Sequence, residues 1–215
     1  MPKAVNESGG SNMTIYQTLL GEDFRRLHPM LQRRYTLPVD QPFYATGVMR
    51  KIESGAKWLR PFYAIATKTR FLFPESGEDV PFSICNTCRT LPSGEHEVLW
   101  ERTFYFSNKT RHFDARMTIE PVQKIVKDYL GSPALFYSDL HFAVTSEGRL
   151  VIRSGVQRFV VSKLECSIPN ILEGRVVVEE GFDDSRNVFT IHVSIHNPLI
   201  GRLMMYAGEF TQQSR

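Results

Sequence analysis

The sequence predicts a mainly β protein of the α+β type. We expect a curved antiparallel sheet or barrel of about nine strands, with short helices near the N terminus. Three observations predict this fold: apolar and polar residues alternate along most of the chain after residue 42, turn residues separate these segments at short intervals, and helical periodicity is confined to short stretches. Neither a fixed-period repeat nor an interior linker is evident, so one domain is expected over residues 13–215.

The helical segments come first in the chain. Two short helices are expected within Thr14–Tyr35, where apolar residues recur at helical spacing. Leu37-Pro38 ends them, because a residue before proline is pushed out of the helical region. A third helix is expected over Lys57–Thr67, where Pro61 would start or kink it.

Strand periodicity dominates from Phe43 onward. In Arg111–Ile119 the apolar and polar residues alternate strictly, which is typical of an antiparallel sheet with one polar face. Val122–Leu130 fits a helix and a strand equally well, and we favour a strand because a hairpin partner precedes it. The other expected strands are Phe43–Arg50, Pro81–Thr90, Glu97–Phe106, Leu135–Thr145, Arg149–Arg153, Gly174–Phe182, Asn187–His196 and Arg202–Thr211.

Composition excludes several classes of protein. The hydrophobic fraction of 42% and charged fraction of 23% are ordinary for a folded soluble protein, and the net charge of +3 is too small for a dedicated nucleic-acid binder. No apolar run of about 18 residues exists, so no transmembrane segment is expected. Three cysteines and the absence of a signal peptide indicate the cytoplasm. Residues 1–12 are polar and are expected to form a flexible leader.

Two motifs suggest metal or redox chemistry, and neither is strong. Cys85 and Cys88 form a CxxC, but on a strand they point to opposite faces, and the chain has no second pair to complete a zinc site. His192 and His196 would stand about 13 Å apart on a strand, too far to share one ion. We therefore expect packed or incidental thiols, no metal and no cofactor.

The segment whose side chains are best suited to catalysis is Tyr137–His141. Tyr137, Asp139 and His141 share one strand face, and a carboxylate beside an imidazole can orient a general base for proton transfer. The alternative is an ordinary polar outer face. The chain has no GxSxG nucleophile motif and no glycine-rich phosphate loop. We therefore assign no catalytic residue and favour a protein that is not an enzyme.

The segment Trp58–Phe73 is rich in aromatic and basic residues. It fits either a surface that docks on a partner or a membrane, or a cap on one end of a barrel.

The chain resembles a bacterial family known only as domain of unknown function 4166. The resemblance extends over roughly Thr14 to Thr211. The motifs that carry it are Trp100–Phe104, Asp128–Gly131, Asp139-Leu140-His141, Gly148-Arg149-Leu150, Arg153–Phe159, Ile168-Pro169, Gly174, Glu180, Phe182-Asp183-Asp184, Asn197-Pro198, Gly201 and Tyr206–Phe210.

The resemblance implies no particular activity. Such domains are sometimes joined to an oxidoreductase-like domain that binds NAD(P), or to a membrane segment, which by analogy implies an accessory or ligand-holding role and an oxidoreductase-like partner. This chain departs from the family pattern at Gly181 and Ile200, where aromatic residues are usual, and these departures would alter the shape of a pocket.

Taken together, the residues predict a small-molecule binding protein. Arginine binds carboxylates and phosphates well, and buried carboxylates such as Glu180 would need arginine partners, for which Arg102 and Arg158 are the candidates. We expect a small amphipathic or anionic ligand in an apolar cavity. The polar residues expected to line it are Arg102, Asp139, His141, Arg158, Glu180 and Tyr206.

Overall fold

The computed structural model describes residues 14–161 and 164–213. The expected leader, residues 1–12, lies outside the described residues. The described part is mostly β, and its strands form one antiparallel sheet that closes into a barrel. The predicted fold class is confirmed.

The helices are short and lie in the first third of the chain. Two 3₁₀ turns, Gly21–Arg26 and Lys57–Leu59, precede α2 and α3 respectively. The helices are α1 (Ile15–Leu20), α2 (Pro29–Thr36) and α3 (Arg60–Lys68). A capping box between Thr14 and Gln17 begins α1, and prolines in the first turn begin α2 and α3; for α3 this is Pro61, as expected.

The described strands number eleven. They are β1 (Phe43–Ser54), β2 (Gly77–Thr90), β3 (His96–Phe106), β4 (Lys109–Glu120), β5 (Ile125–Gly131), β6 (Ala134–Val144), β7 (Leu150–Val161), β8 (Leu164–Ser167), β9 (Arg175–Asp183), β10 (Val188–Asn197) and β11 (Gly201–Gln212). Most of the ambiguous segment Val122–Leu130 belongs to strand β5, as favoured, and residues 122–124 form the turn before it. Strand β8 was not expected, because its four residues are all exposed and show no alternation of buried and exposed side chains. Strand β7 is longer than the expected Arg149–Arg153.

Ten of these strands close the barrel. Their order is β6-β5-β4-β3-β2-β1-β11-β10-β9-β7, and pairing of β6 with β7 completes the ring. Strand β7 pairs with β9 only as far as Arg153, opposite Val177, and farther along pairs with β8 instead. Strands β7 and β9 therefore separate from each other toward one end of the barrel.

Different helices cover the two ends. The guanidinium of Arg34 on α2 lies 4.5 Å from the ring of Phe43, the first residue of β1, and 4.9 Å from that of Phe210, near the end of β11. These two positions share one end because β1 and β11 are antiparallel, and we call it the α2 end. At the opposite end, the α3 end, Tyr63 donates a hydrogen bond to the Leu203 carbonyl near the start of β11.

The sheet itself is held by close strand contacts. A Cβ added at Gly47 on β1 would lie 2.1 Å from the Glu209 carbonyl oxygen on β11. Only glycine fits there without moving the backbone of the neighbouring strand.

Candidate functional site

The barrel encloses a cavity of about 560 Å³. This volume falls within the range of about 300–1,000 Å³ typical of small-molecule sites. Because side chains alternate along each strand, every second residue faces inward, and most of the inward residues here are branched aliphatics or aromatics. Representative lining residues are Ile152, Val178, Ile191, Val193, Ile195 and Leu203.

Arg102 on β3 is a buried cation in this apolar wall. Its side chain is nearly inaccessible, its Nε donates to the Phe113 carbonyl at 3.0 Å, and its Nη1 donates to the Tyr206 hydroxyl at 2.9 Å. The guanidinium carbon lies 4.1 Å from the centroid of the Phe113 ring. Among the described residues Nη2 has no hydrogen-bond partner. The guanidinium is therefore held rigidly, with donor capacity left for a ligand.

Asp128 on β5 is a buried carboxyl in the same cavity. Its Oδ1 has no hydrogen-bond partner within the described chain, and it forms no ion pair with Arg102. Burial raises the pKa of Asp128 to about 7, and the positive charge of Arg102 opposes only part of this rise. The cavity therefore contains a permanent cation and a carboxyl group whose pKa is raised toward neutrality.

Glu180 on β9 is buried but already paired. It accepts hydrogen bonds from Arg34 at 3.0 and 3.2 Å and from the Tyr35 hydroxyl at 2.8 Å. The prediction that Arg102 or Arg158 would neutralise it is wrong, because α2 brings Arg34 onto the α2 end of the barrel. This ion pair ties α2 to β9.

Three of the expected lining residues lie outside the barrel. On β6, Ser138 and Leu140 line the cavity, whereas Asp139 and His141 do not, and His141 is exposed to solvent. Arg158 on β7 pairs with Glu165 of β8 at 2.7 Å. The expectation that Asp139, His141 and Arg158 point inward is therefore wrong.

The outer positions of Asp139 and His141 also bear on the hypothesis that this pair transfers protons. Asp139 accepts a hydrogen bond from the Tyr137 hydroxyl, which burial and Asp139 keep protonated by raising its pKa. His141 is exposed and makes no hydrogen bond to Asp139. The geometry does not favour an enzyme that uses this pair.

The cysteines and remaining histidines lie apart from the cavity. Cys85 is half-buried and Cys88 buried, both on β2 as expected, and burial raises the pKa of Cys88. His192 and His196 are exposed on β10. Within residues 14–161 and 164–213, no three His, Cys, Asp or Glu side chains come close enough together to hold a metal ion.

The segment Trp58–Phe73 is divided between core and surface. Tyr63 and the run Phe71–Phe73 are buried, whereas Trp58 and Ile65 are mostly exposed. None of the described helices has the length and hydropathy needed to span a bilayer.

Two residues that matter here, Asp128 and Arg34, are not among the predicted cavity residues. Asp128 belongs to a motif of the family resemblance and stands between Val126 and Leu130 at an inward position of β5. A charged residue in the apolar register of a strand is the signal that could have found it. Arg34 carried no such signal, because the sequence does not show where α2 docks.

Two comparisons with known proteins match this chain. The family model described as "Domain of unknown function (DUF4166)" matches residues 27–210. A protein of Bacillus subtilis (strain 168), described as "Uncharacterized protein YndH", is 36% identical over 193 residues, which covers 90% of this chain and 94% of that protein. Neither description names an activity.

Proposed function

Because the chain belongs to the family named Domain of unknown function (DUF4166), whose description gives no activity, we propose a function from the barrel interior. The protein binds a small amphiphile whose apolar body fills the cavity and whose anionic head group contacts Arg102. The observation that carries this proposal is the buried guanidinium, with one nitrogen free of hydrogen bonds among the described residues, in a mostly apolar cavity of about 560 Å³.

The apolar lining of the cavity favours a ligand with an apolar body. Apolar walls gain free energy by removing apolar ligand surface from water and offer little to a sugar or nucleotide. Arg102 decides the head group, because a guanidinium donates well to carboxylate and phosphate oxygens and keeps its charge at all physiological pH values. A fatty acid or a similar single-chain anion meets both requirements.

Asp128 makes this binding depend on pH. In its protonated form the carboxyl can donate a hydrogen bond to an anionic head group, whereas the ionised form repels it. A bound anion would raise the pKa of Asp128 further above about 7, so binding takes up a proton. Affinity for an anionic ligand should therefore fall as pH rises through neutrality.

The test is a fluorescence titration with a dansylated undecanoic acid. We expect saturable binding by the parent chain, weakened at least about tenfold in Arg102→Met, because a hydrogen bond to a charged group contributes roughly 1.5–3 kcal/mol. Arg158→Met is the matched control: it removes the same side chain from the outer face and should change affinity less than about twofold.

A second variant guards against misfolding of Arg102→Met. Val193→Trp narrows the cavity and leaves the Arg102 side chain in place, and it should weaken probe binding while the circular dichroism spectrum stays β-rich. Absence of binding by the parent chain, or equal losses in Arg102→Met and Arg158→Met, would overturn the proposal.

The compartment belongs to the same proposal. Cys85, Cys88 and Cys166 are all free thiols, which supports a cytoplasmic protein. The oxidoreductase-like partner stays a prediction of the family resemblance.

A further inference from the structure

The cavity has a mouth that is marked by exposed apolar residues. Four residues line the cavity and are also exposed to solvent: Ile65, Phe159, Val161 and Leu172. We call these four residues the mouth rim. A side chain that meets both the cavity and bulk water lies where the two join, so the opening is here.

The mouth rim lies at the α3 end, where separate chain segments meet. Ile65 is on α3, Phe159 and Val161 are at the end of β7, and Leu172 is in the loop before β9. The side-chain amide of Asn197 ties this loop to the β10–β11 turn by donating to the carbonyls of residues 171 and 173, each at 2.9 Å. The opening coincides with the place where β7 and β9 part.

Further exposed apolar side chains flank the mouth rim. Trp58 is 65% exposed just before α3, and Leu199 is equally exposed in the β10–β11 turn, beside Ile200, which lines the cavity. Ile171 is exposed beside Leu172. Adjacent exposed apolar residues of this kind mark surfaces that bind something.

The charge of the segment that contains α3 points to the kind of surface it meets. Residues 54–74 contain four Lys or Arg and no Asp or Glu. Of the four, Arg70 pairs with Asp114, while Lys57, Arg60 and Lys68 are exposed and form no ion pair with any described residue. A short helix with Lys and Arg beside Trp and Ile is typical of segments that lie in a membrane interface.

We propose that the mouth rim and α3 dock on the surface of an anionic phospholipid bilayer, from which the cavity receives its amphiphile. This inference rests on the proposed function. A ligand with a long apolar body partitions into bilayers, and a continuous apolar path from the rim to the cavity lets it transfer without crossing water. Lys57, Arg60 and Lys68, which form no ion pair among the described residues, complement the negative surface of such a bilayer.

The test is co-sedimentation of the full chain with lipid vesicles. We expect binding to phosphatidylglycerol-rich vesicles, weaker binding to pure phosphatidylcholine, and loss of binding as salt rises. The double variant Lys57→Gln/Arg60→Gln should weaken binding about 10- to 30-fold, since each basic residue near such a surface changes affinity by roughly fivefold.

The matched control removes the same charge from the other end. Arg33 on α2 and Lys124 in the β4–β5 turn are exposed, lie at the α2 end and have no ion pair among the described residues. Arg33→Gln/Lys124→Gln should bind vesicles within about twofold of the parent chain. Equal losses in the two double variants would show attraction of net charge alone and would overturn the proposal.

Tryptophan fluorescence tests whether the segment around Trp58 contacts the bilayer. The chain has two tryptophans, and Trp100 is buried, so a blue shift on adding vesicles should come from Trp58 and disappear in Trp58→Phe. A shift retained in Trp58→Phe, no vesicle binding at all, or self-association that is lost in Leu199→Ser would overturn docking on a bilayer.

The two proposals fail separately. The dansylated fatty acid reaches the cavity from solution, so normal probe binding without vesicle binding overturns only the docking surface. Vesicle binding by a chain that takes up no probe overturns the cavity ligand, and with it the role assigned to docking.

Discussion

Replacing Asp128 by asparagine should stabilise the protein at neutral and alkaline pH. The substitution keeps the shape and polarity of the side chain but removes its ability to ionise inside the cavity. Burial raises the pKa of Asp128 from its ordinary value of 3.8 to about 7. Between these two values the folded state binds more protons than the unfolded state, so the stability of the parent chain falls as pH rises.

The size of the effect follows from the two pKa values. One pKa unit corresponds to about 1.4 kcal/mol, so the difference between 3.8 and about 7 amounts to about 4 kcal/mol at pH values above 7. Water entering the cavity would hydrate the carboxylate and reduce this figure. We therefore expect Asp128→Asn to exceed the parent chain by about 2–4 kcal/mol at pH 8 and by almost nothing below pH about 4.

The assay is urea unfolding of ligand-free protein at a series of pH values. All other titrating groups are shared by parent and variant, so the difference in free energy of unfolding isolates Asp128. Asp23→Asn is the control: its side chain is exposed and pairs only with Arg26, so its difference should stay within about 0.5 kcal/mol. A difference for Asp128→Asn that is constant across this pH range would refute the reasoning.

Three further predictions concern the rest of the barrel. Glu180→Gln leaves the buried guanidinium of Arg34 without its counter-charge, and urea unfolding should show a loss of about 3–5 kcal/mol. Gly47→Ala forces a methyl group against the backbone of the neighbouring strand, and calorimetry should show a lower Tm with a loss of at least about 2 kcal/mol. With a thiol-reactive dye at pH 8, exposed Cys166 should react first, whereas buried Cys88, whose pKa is raised, should react only on unfolding.

Local patterns were enough to predict the fold class. Alternation along Arg111–Ile119 and similar segments identified the antiparallel strands, helical spacing indicated the first helices, and Pro61 marked the first turn of α3. Among the described strands only β8 was not predicted. Its four exposed residues have no pattern of their own and form a strand by pairing with the edge of β7.

The site was harder to predict, since it depends on which face of each strand turns inward. A shift of one residue exchanges the two faces, so Arg102 lies inside while Arg158 lies outside, although both stand beside aromatic residues. The bulge in the pairing of β6 with β7, after Ser138, adds a further offset that no single-strand pattern reveals. Partners from distant segments, such as Arg34 for Glu180, require the assembled fold.

The interior of the barrel, and not its surface, is the expected place for the apolar body of the ligand. A crystal structure of the protein soaked with a fatty acid brominated near its methyl end would show where that body lies. We predict an anomalous bromine peak within the cavity beside Ile152 or Val193, with the carboxylate near Arg102. Bromine peaks confined to the outer face, or a barrel whose interior is filled by its own side chains, would contradict the claim.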